Sequence, residues 1–188
     1  MDADDLSFIV KRMAHSSVRN YATPGLTSYL IGGGPAVGRV RLFMSDRDQR
    51  EFITPHSHRF DFTCLVLRGE VRNVLYVRAT ENSNDLGNSF ARGVLKPIDG
   101  GLGKYELLPG GSPAAYNEVP SIYTAGHTYS MRSAQIHSIY FSKDAEVLFF
   151  EGPETAEETY ILEPWSNGAR VPTFSTQPWM FQRERIGE

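Results

Sequence analysis

Two histidines separated by one residue, His56 and His58, stand just before a run of apolar residues that ends at Gly69. In an extended chain, side chains two residues apart point to the same side, so the pair delivers two imidazoles to one small volume. Neutral imidazoles are common ligands of divalent transition metals. We interpret the pair either as half of a metal site or as two polar residues where a loop meets a strand.

A third histidine, His137, lies in a second pattern that suits the first. Residues 126–141, GHTYSMRSAQIHSIYF, predict a strand, a four-residue turn and a second strand, and His137 comes just after the turn. Two strands packed beside the His56 segment would bring this imidazole towards the other two. His137 is therefore the candidate for a third ligand.

The elements around these residues predict an all-β fold. Apolar residues at helical spacing over 2–15 indicate one short amphipathic helix, and short alternating segments separated by turn residues follow, as is typical of a β-sandwich or barrel. The predicted strands are Leu26–Ile31, Val37–Met44, Phe60–Leu67, Val71–Arg78, Lys104–Leu108, Thr128–Met131, Ile136–Phe141, Glu146–Phe150 and Thr159–Leu162.

Three segments lie outside this pattern of strands. Residues 1–20 form the N-terminal helical segment. Residues 81–103 are rich in Asn, Gly and Ser and are interpreted as a long connection, most simply a surface insertion. Residues 163–188 carry both tryptophans without clear periodicity, and we expect a C-terminal arm packed across the domain or onto a partner subunit.

Composition restricts the class of protein. A chain of 188 residues fits one domain, 1–188, and 40% hydrophobic residues is ordinary for a globular protein. The formal charge of −3 provides no broad attraction for nucleic acid or anionic lipid. Cys64 is the single cysteine, which excludes an intramolecular disulfide, and no apolar run approaches the length of a membrane span. We expect a cytoplasmic protein with no nucleic-acid or membrane partner.

The two histidine patterns resemble the motifs of the cupin superfamily, roughly G-x5-H-x-H-x3-4-E-x6-G and G-x5-P-x-G-x2-H-x3-N. HSHRFDFTCLVLRG matches the first motif with His56, His58 and Gly69, and GHTYSMRSAQIH matches the second with Gly126 and His137. The resemblance spans about residues 37–152. It implies a cupin-type antiparallel β-barrel, or jelly roll, to which this chain adds a short N-terminal helix and a C-terminal arm.

The chain departs from the cupin pattern at one ligand position. Phe62 stands where the family has a glutamate ligand, and Asp61, one residue out of phase, is expected to face away. The resemblance therefore implies a site of three histidines, similar to that of non-haem Fe(II) dioxygenases and in its spacing to the thiol dioxygenase branch. That branch's Ser-His-Tyr trio does not carry over, since Phe149 and Phe150 stand where its His and Tyr would be sought.

Several functions remain open on this resemblance. The leading hypothesis is a dioxygenase acting on a small molecule with Fe(II), although imidazoles also suit Mn, Ni or Zn. The alternatives are a metal-dependent isomerase or lyase acting on a small anionic substrate, and a non-catalytic ligand-binding or structural cupin. Sandwiches of this type often pair through edge strands or terminal arms, so we expect a homodimer.

Other residues are predicted to complete the site. Tyr129 is a candidate catalytic group because its strand should run beside the His-x-His segment. His127 could be an acid–base or hydrogen-bonding group, or simply a half-exposed histidine at a strand end. The predicted substrate pocket contains apolar walls, a tyrosine and a candidate anchor for an anionic group, namely Phe60, Phe62, Phe149, Tyr76 and Arg132.

Overall fold

The computed structural model describes residues 3–21, 23–50, 54–80, 88–97, 105–166, 168–170 and 184–185. The helix is α1 (Ala3–Met13). The strands are β1 (Ser16–Arg19), β2 (Leu26–Gly34), β3 (Gly38–Ser45), β4 (Gln49–Arg50), β5 (Phe62–Arg68), β6 (Glu70–Arg78), β7 (Asn88–Pro97), β8 (Tyr105–Pro109), β9 (Ala114–Thr124), β10 (Thr128–Met131), β11 (Ile136–Phe141), β12 (Glu146–Glu151), β13 (Thr159–Ser166), β14 (Ala169–Arg170) and β15 (Glu184–Arg185).

The strands form two antiparallel sheets. One has the order β10-β5-β12-β3-β2-β1-β15, and the other has the order β14-β13-β7-β9-β6-β11-β4, with β8 paired to β7. The predicted all-β architecture with a short N-terminal helix is thereby confirmed, and it is consistent with the jelly roll that the cupin resemblance implies. Within the described residues, no helix has the length and apolar character needed to cross a membrane.

The main core lies between the two sheets and follows the predicted alternation along β5. Phe62, Cys64 and Val66 are buried in one cluster, and Phe60 packs against it. Gly69 makes the turn from β5 to β6 with φ of +70°, where a Cβ would come within 2.9 Å of the Ala145 Cα. The turn therefore needs a glycine, and it carries the chain from β5 in the seven-stranded sheet to β6 in the eight-stranded sheet.

A smaller second core covers the opposite face of the eight-stranded sheet. It contains Val74, Tyr76, Phe90, Tyr116, Ile136 and Leu162. The chain segment Pro55–Ser57 helps to enclose it, because this segment is hydrogen bonded to β11 on one side and to β13 on the other. One short loop thus connects two strands that are not neighbours along the sheet.

The prediction of a long connection over 81–103 was wrong for residues 88–97, which form β7. Phe90 and Leu95 of this strand are buried, at 6% exposure each. The Asn- and Gly-rich composition hid the strand, because Gly93 interrupts its apolar pattern at a point where the Leu107 side chain lies 2.7 Å from an added Cβ. The rest of 81–103 lies outside the described residues.

Strand β9 was also absent from the prediction, since Pro120 and polar residues interrupt its pattern. In the structure β6 pairs with residues 116–124 of β9, whereas β7 pairs only with residues 114–116. Beyond Tyr116, the other edge of β9 has no strand partner within the described part of the chain. A proline without an N–H group is tolerated at such an edge.

The predicted C-terminal arm is only partly described. Its first residues belong to β13, β14 pairs with β13, and β15 pairs with β1 of the other sheet. Residues 167, 171–183 and 186–188 lie outside the described residues. The prediction of an arm packed across the domain or onto a partner therefore stays a prediction.

Candidate metal centre

The three histidines are positioned by backbone hydrogen bonds between two strands and one loop. His56 and His137 exchange a pair of bonds, with N···O distances of 2.8 and 2.9 Å. The His58 N–H donates to the carbonyl of Ser133, in the turn before β11, at 3.1 Å. Both parts of the His-x-His segment are therefore tied to the segment that carries His137.

The imidazole rings converge on one point. Ring centroids of His56 and His58 lie 4.8 Å apart, and those of His56 and His58 lie 5.3 and 5.1 Å from the His137 centroid. Each ring offers one nitrogen to a group in which all three nitrogens lie within 4.8 Å of one another. This arrangement has the residue types and the spacing of a metal site.

The Nε2 atoms of His58 and His137 are 2.9 Å apart. Two nitrogen ligands about 2.1 Å from one ion and at right angles to each other lie roughly 3 Å apart. The observed separation therefore fits two ligands of one ion, and it also fits a hydrogen bond between two neutral rings when no ion is bound.

Hydrogen bonds to the other ring nitrogens orient two of the histidines. Nδ1 of His56 donates to the carbonyl oxygen of Thr54 at 3.0 Å, and Nδ1 of His137 donates to Oδ1 of Asn73 at 2.6 Å. A neutral imidazole that donates through Nδ1 leaves the lone pair on Nε2. Because a metal-bound histidine typically donates its other N–H in this way, the two rings are already in the tautomer that binds metal.

Burial favours the neutral form of two of the three histidines, His58 and His137. His56 and His137 are buried, and His58 is half-buried. Burial lowers the pKa of His58 well below the ordinary value for histidine, and the charges of His56 and His137 lower it further. The pKa of His137 is lowered well below the same value, first by burial and then by the charge of His56. Neutral imidazoles are the form that binds metal.

Aromatic side chains form the wall beside the histidines. The Phe62 ring lies 5.0 Å from the His58 ring and 5.7 Å from the His137 ring, between centroids. Phe60 lies 5.3 Å from His58, and Phe149 lies 4.7 Å from Phe62. The three phenylalanine rings therefore lie together beside the histidines, and Phe62 stands at the position where the cupin motif has a carboxylate. Their predicted part in a substrate pocket stays a prediction.

Tyr129 lies behind this wall. It pairs with Cys64 across β10 and β5, its ring is 6.3 Å from the Phe62 ring, and it stacks on Tyr123 at 4.4 Å. Burial raises the pKa of the Cys64 thiol to about 12, offset in part by a hydrogen bond from Tyr129. Phe62 thus separates Tyr129 from the histidines, and its predicted catalytic role stays a hypothesis.

Tyr76 does not line the histidine site, contrary to the prediction. It pairs with Ile136, the neighbour of His137, so its side chain lies on the other face of the sheet. There it is buried in the second core, 5.6 Å from the Phe90 ring. Desolvation by this burial raises the pKa of its hydroxyl.

His127 and Arg132 are also outside the cluster. His127 is exposed at the turn before β10, where its carbonyl accepts from Val66 N and its Nδ1 accepts from Thr124 N. Val66 is four residues from Phe62 along β5, which corresponds to about 13 Å. The Arg132 side chain is 84% exposed, 3.9 Å from Asp61, so it lies at the surface of the turn that holds His58.

Asn73 is the residue at the site that the sequence reasoning missed. It is 6% exposed and lies on β6 between Val71 and Leu75, on the face that carries the main core. In the alternating segment VRNVLYV, Asn73 is a polar residue at a core-facing position. A buried polar side chain needs a hydrogen-bond partner, and this could have indicated its role in the site. Thr54 acts through a backbone oxygen, which no side-chain pattern indicates.

A cleft of about 430 Å³ opens beside His58. It is lined by Ser57, His58, Ser133, Ala134, Ala156, Glu157, Glu158 and Tyr160. His58 is the most exposed of the three histidines. The cluster is therefore open to this cleft on the His58 side.

No protein-family model and no curated protein matches the sequence. Among solved structures, the chain is similar to hydroquinone 1,2-dioxygenase PnpCD in complex with Cd²⁺ and 4-hydroxybenzonitrile, with 16% identity, 65% of this chain and 61% of that chain covered, and a TM-score of 0.33. It is similar to KdgF from Halomonas sp. (14%, 72% and 84%, TM-score 0.39). It is also similar to hydroxypropylphosphonic acid epoxidase from S. wedmorenis (8%, 73% and 55%, TM-score 0.42). The chain thus spans about three fifths of the first of these.

Proposed function

We propose that His56, His58 and His137 bind one divalent metal ion. The single observation that carries the proposal is the convergence of three imidazole rings, whose facing nitrogens all lie within 4.8 Å of one another. In two of these rings, those of His56 and His137, Nδ1 already donates a hydrogen bond to a protein oxygen. The lowered pKa values of His58 and His137 support the proposal. A ring with a lowered pKa binds a proton weakly, so its nitrogen remains available to a metal.

Charge balance suggests what such a centre would bind. Three neutral imidazoles leave the double positive charge of the ion uncompensated, and among the described residues no carboxylate joins the cluster. Buried charge is costly unless it is paired. We therefore propose a small-molecule substrate that binds as an anion, with the apolar ring of Phe62 in the place of an acidic ligand.

We further propose that the protein is a metal-dependent enzyme, and first among the possibilities a dioxygenase that uses Fe(II). A divalent ion in the cluster supplies Lewis acidity and, if it is iron, the redox chemistry that reaction with oxygen requires. Asn73 and the Thr54 carbonyl hold the rings in place. Phe60, Phe62 and Phe149 exclude water from one side, and the cleft at His58 admits substrate.

The test of the metal site compares two histidine variants. Protein treated with chelator is titrated anaerobically with Fe(II) and, separately, with Mn(II) and Zn(II), and bound metal is measured by elemental analysis. The wild type is expected to bind one equivalent. His58→Ala should lose this binding, whereas His127→Ala, an exposed histidine outside the cluster, should retain it. Equal metal content in the wild type and in folded His58→Ala would refute the ligand assignment.

The type of reaction is tested with the same protein. Protein isolated without added metal is analysed for its metal, and turnover of a panel of small organic acids, diketones and sugars is compared in air and under nitrogen. Stoichiometric iron and turnover only in air support the dioxygenase. Turnover under nitrogen with Mn or Zn would instead establish an isomerase or lyase, and a protein that binds no metal under any condition would exclude every catalytic version.

Two further proposals concern the cellular location and the oligomeric state of the protein. The single cysteine, Cys64, is buried and free, which fits a reducing compartment, so we propose a cytoplasmic location. We also propose that the protein acts as a homodimer. Immunolocalisation and sedimentation in solution would test these two statements independently of the metal.

A further inference from the structure

Helix α1 is apolar on two opposite faces. Its inner face packs Val10 and the half-buried Leu6 against the outer surface of the seven-stranded sheet. The outer face leaves Phe8 and Ile9 at 59 and 43% exposure, and Met13 at the end of the helix is 60% exposed. A surface helix of a monomer normally presents polar residues to solvent, so an apolar outer face indicates a contact surface.

The helix is held in place by a buried polar contact. Ser7, 3% exposed, donates a hydrogen bond from its hydroxyl to the Glu146 carboxylate on β12, and Glu146 is 5% exposed. This contact fixes the rotation of the helix on the sheet. The outer face is therefore a defined surface, presented at a constant position.

The exposed face has a symmetric order of charges. Asp5, Phe8, Ile9 and Arg12 share one side of the helix, because they are separated by three, four and seven residues. All four are exposed, and the Arg12 guanidinium lies 5.6 Å from the Phe8 ring centroid. The acidic residue stands at the first turn, the basic residue at the last turn, and the two apolar residues lie midway between them.

We infer that α1 is a dimerisation surface for a second copy of this chain, with the two helices antiparallel about a two-fold axis. The axis passes between Phe8 and Ile9, so that Asp5 of each copy faces Arg12 of the other and the apolar residues meet at the centre. A two-fold contact must be complementary to itself, and the order acidic, apolar, apolar, basic has this property. The inference does not depend on the proposed metal site.

The same charges disfavour a membrane as the partner. A helix that lies on anionic lipid has basic residues along its polar face. Here the first turn is acidic, with Asp4 and Asp5, and only Lys11 and Arg12 are basic. A pair of helices of this length buries less than the roughly 800 Å² per partner of a standard interface. We therefore expect dimerisation to depend on protein concentration.

The test is sedimentation velocity of the full chain over a concentration series, with charge-swapped variants. Wild type should shift from monomer to dimer as concentration rises. Asp5→Lys and Arg12→Glu should each weaken self-association about tenfold, because each replaces two attractive pairs with two repulsive ones. A mixture of these two variants should dimerise again, as should the double variant that carries both changes in one chain.

Two more variants separate this surface from others. Ile9→Lys places charges at the centre of the contact and should abolish the dimer. Val37→Lys, at a residue that is 79% exposed in the turn between β2 and β3, should leave it unchanged. Circular dichroism confirms that each variant is folded.

Three results would overturn the inference. The first is a wild type that stays monomeric at every concentration. The second is a dimer that survives Ile9→Lys and both charge reversals. The third is a monomer that binds phosphatidylcholine–phosphatidylserine vesicles through α1.

Discussion

Two polar clusters lie on the core-facing side of the sheets, and they differ in whether their polar groups find partners within the protein. The histidine cluster is His56, His58 and His137. The ion cluster is formed by Arg39, Arg41, Arg59, Glu151 and Glu154. Glu151 pairs with Phe62 across β12 and β5, so Phe62 stands between the two clusters.

The ion cluster is complete within the protein. Glu151 accepts from Arg41 Nε at 2.6 Å and from an Arg39 terminal nitrogen at 2.9 Å, and its side chain is only 4% exposed. Arg59, next to His58 in the chain, binds Glu154 at 3.1 Å. Each of the three arginines contacts at least one of the two glutamates, so every charged side chain of this cluster has a partner of opposite sign within the protein.

The histidine cluster contains no carboxylate among the described residues. It brings three imidazole nitrogens to one point, and the hydrogen bonds of His56 to Thr54 and of His137 to Asn73 make these two rings better ligands for a cation. Burial of polar groups is therefore not by itself a sign of a binding site. The sign is a group of nitrogen ligands that converge on one point and are oriented as they would be around a cation.

Removing the central carboxylate of the ion cluster should have the largest effect on stability. Glu151→Ala leaves Arg39 and Arg41 largely buried without their main partner, and we expect a loss of about 3 kcal/mol in the free energy of unfolding. Glu154→Ala, at a more exposed carboxylate, should cost about 1 kcal/mol or less. Urea denaturation measures both, and metal affinity of the folded variants should match that of wild type. Equal stability of the two variants would contradict this division.

A smaller effect is expected from removing the acceptor behind His137. Asn73→Leu keeps the branched shape of the side chain but leaves Nδ1–H of His137 without its partner, so metal affinity should fall about 10- to 100-fold. Asn73→Asp retains an oxygen acceptor for Nδ1–H of His137, so this variant should keep most of the metal affinity of the wild type. Competition with a metal-binding dye measures the change. If Asn73→Leu binds metal as tightly as wild type, the hydrogen bond has no role in the site.

The smallest effect should be the pH dependence of the chelator-treated protein. The pKa values of His58 and His137 are lowered by folding, so below the ordinary histidine pKa of about 6.5 the unfolded chain binds more protons than the folded one. Stability from these residues is present above about pH 6.5 and is lost as the pH falls towards the lowered values. Denaturation curves between about pH 5 and 8 test this.

A control separates the histidines from other groups. His58→Gln removes one of the two shifted residues and should make the stability curve flatter in this range. A wild type whose stability stays constant, or rises, as the pH falls below 6.5 would show that the histidines are not kept neutral by the fold.

The sequence predicted the parts of the site that depend on local spacing. His56 and His58 are two residues apart and their rings end up 4.8 Å apart, although the segment is a loop bonded to two strands rather than part of β5. The alternation of Phe62, Cys64 and Val66 was also predicted, because strand geometry alone places them on one face. These features need no knowledge of neighbouring strands.

Other residues depend on register between strands that are distant in sequence. Tyr76 pairs with Ile136 rather than with His137, and a difference of one residue places its side chain on the opposite face of the sheet. Strands β7 and β9 were missed for a related reason. The glycine of β7 is explained by the close approach of Leu107 on β8. The proline of β9 is explained by an edge that has no strand partner among the described residues.

The all-β fold and the common side of His56 and His58 follow from the amino-acid sequence, because side-chain alternation and turn glycines act over a few residues. The third histidine of the cluster, the orientation of the rings by Asn73 and the Thr54 carbonyl, and the position of Phe62 beside Glu151 depend on the packed structure. Those contacts join residues far apart in the chain. They are determined by strand register and burial, which arise only when the two sheets pack together.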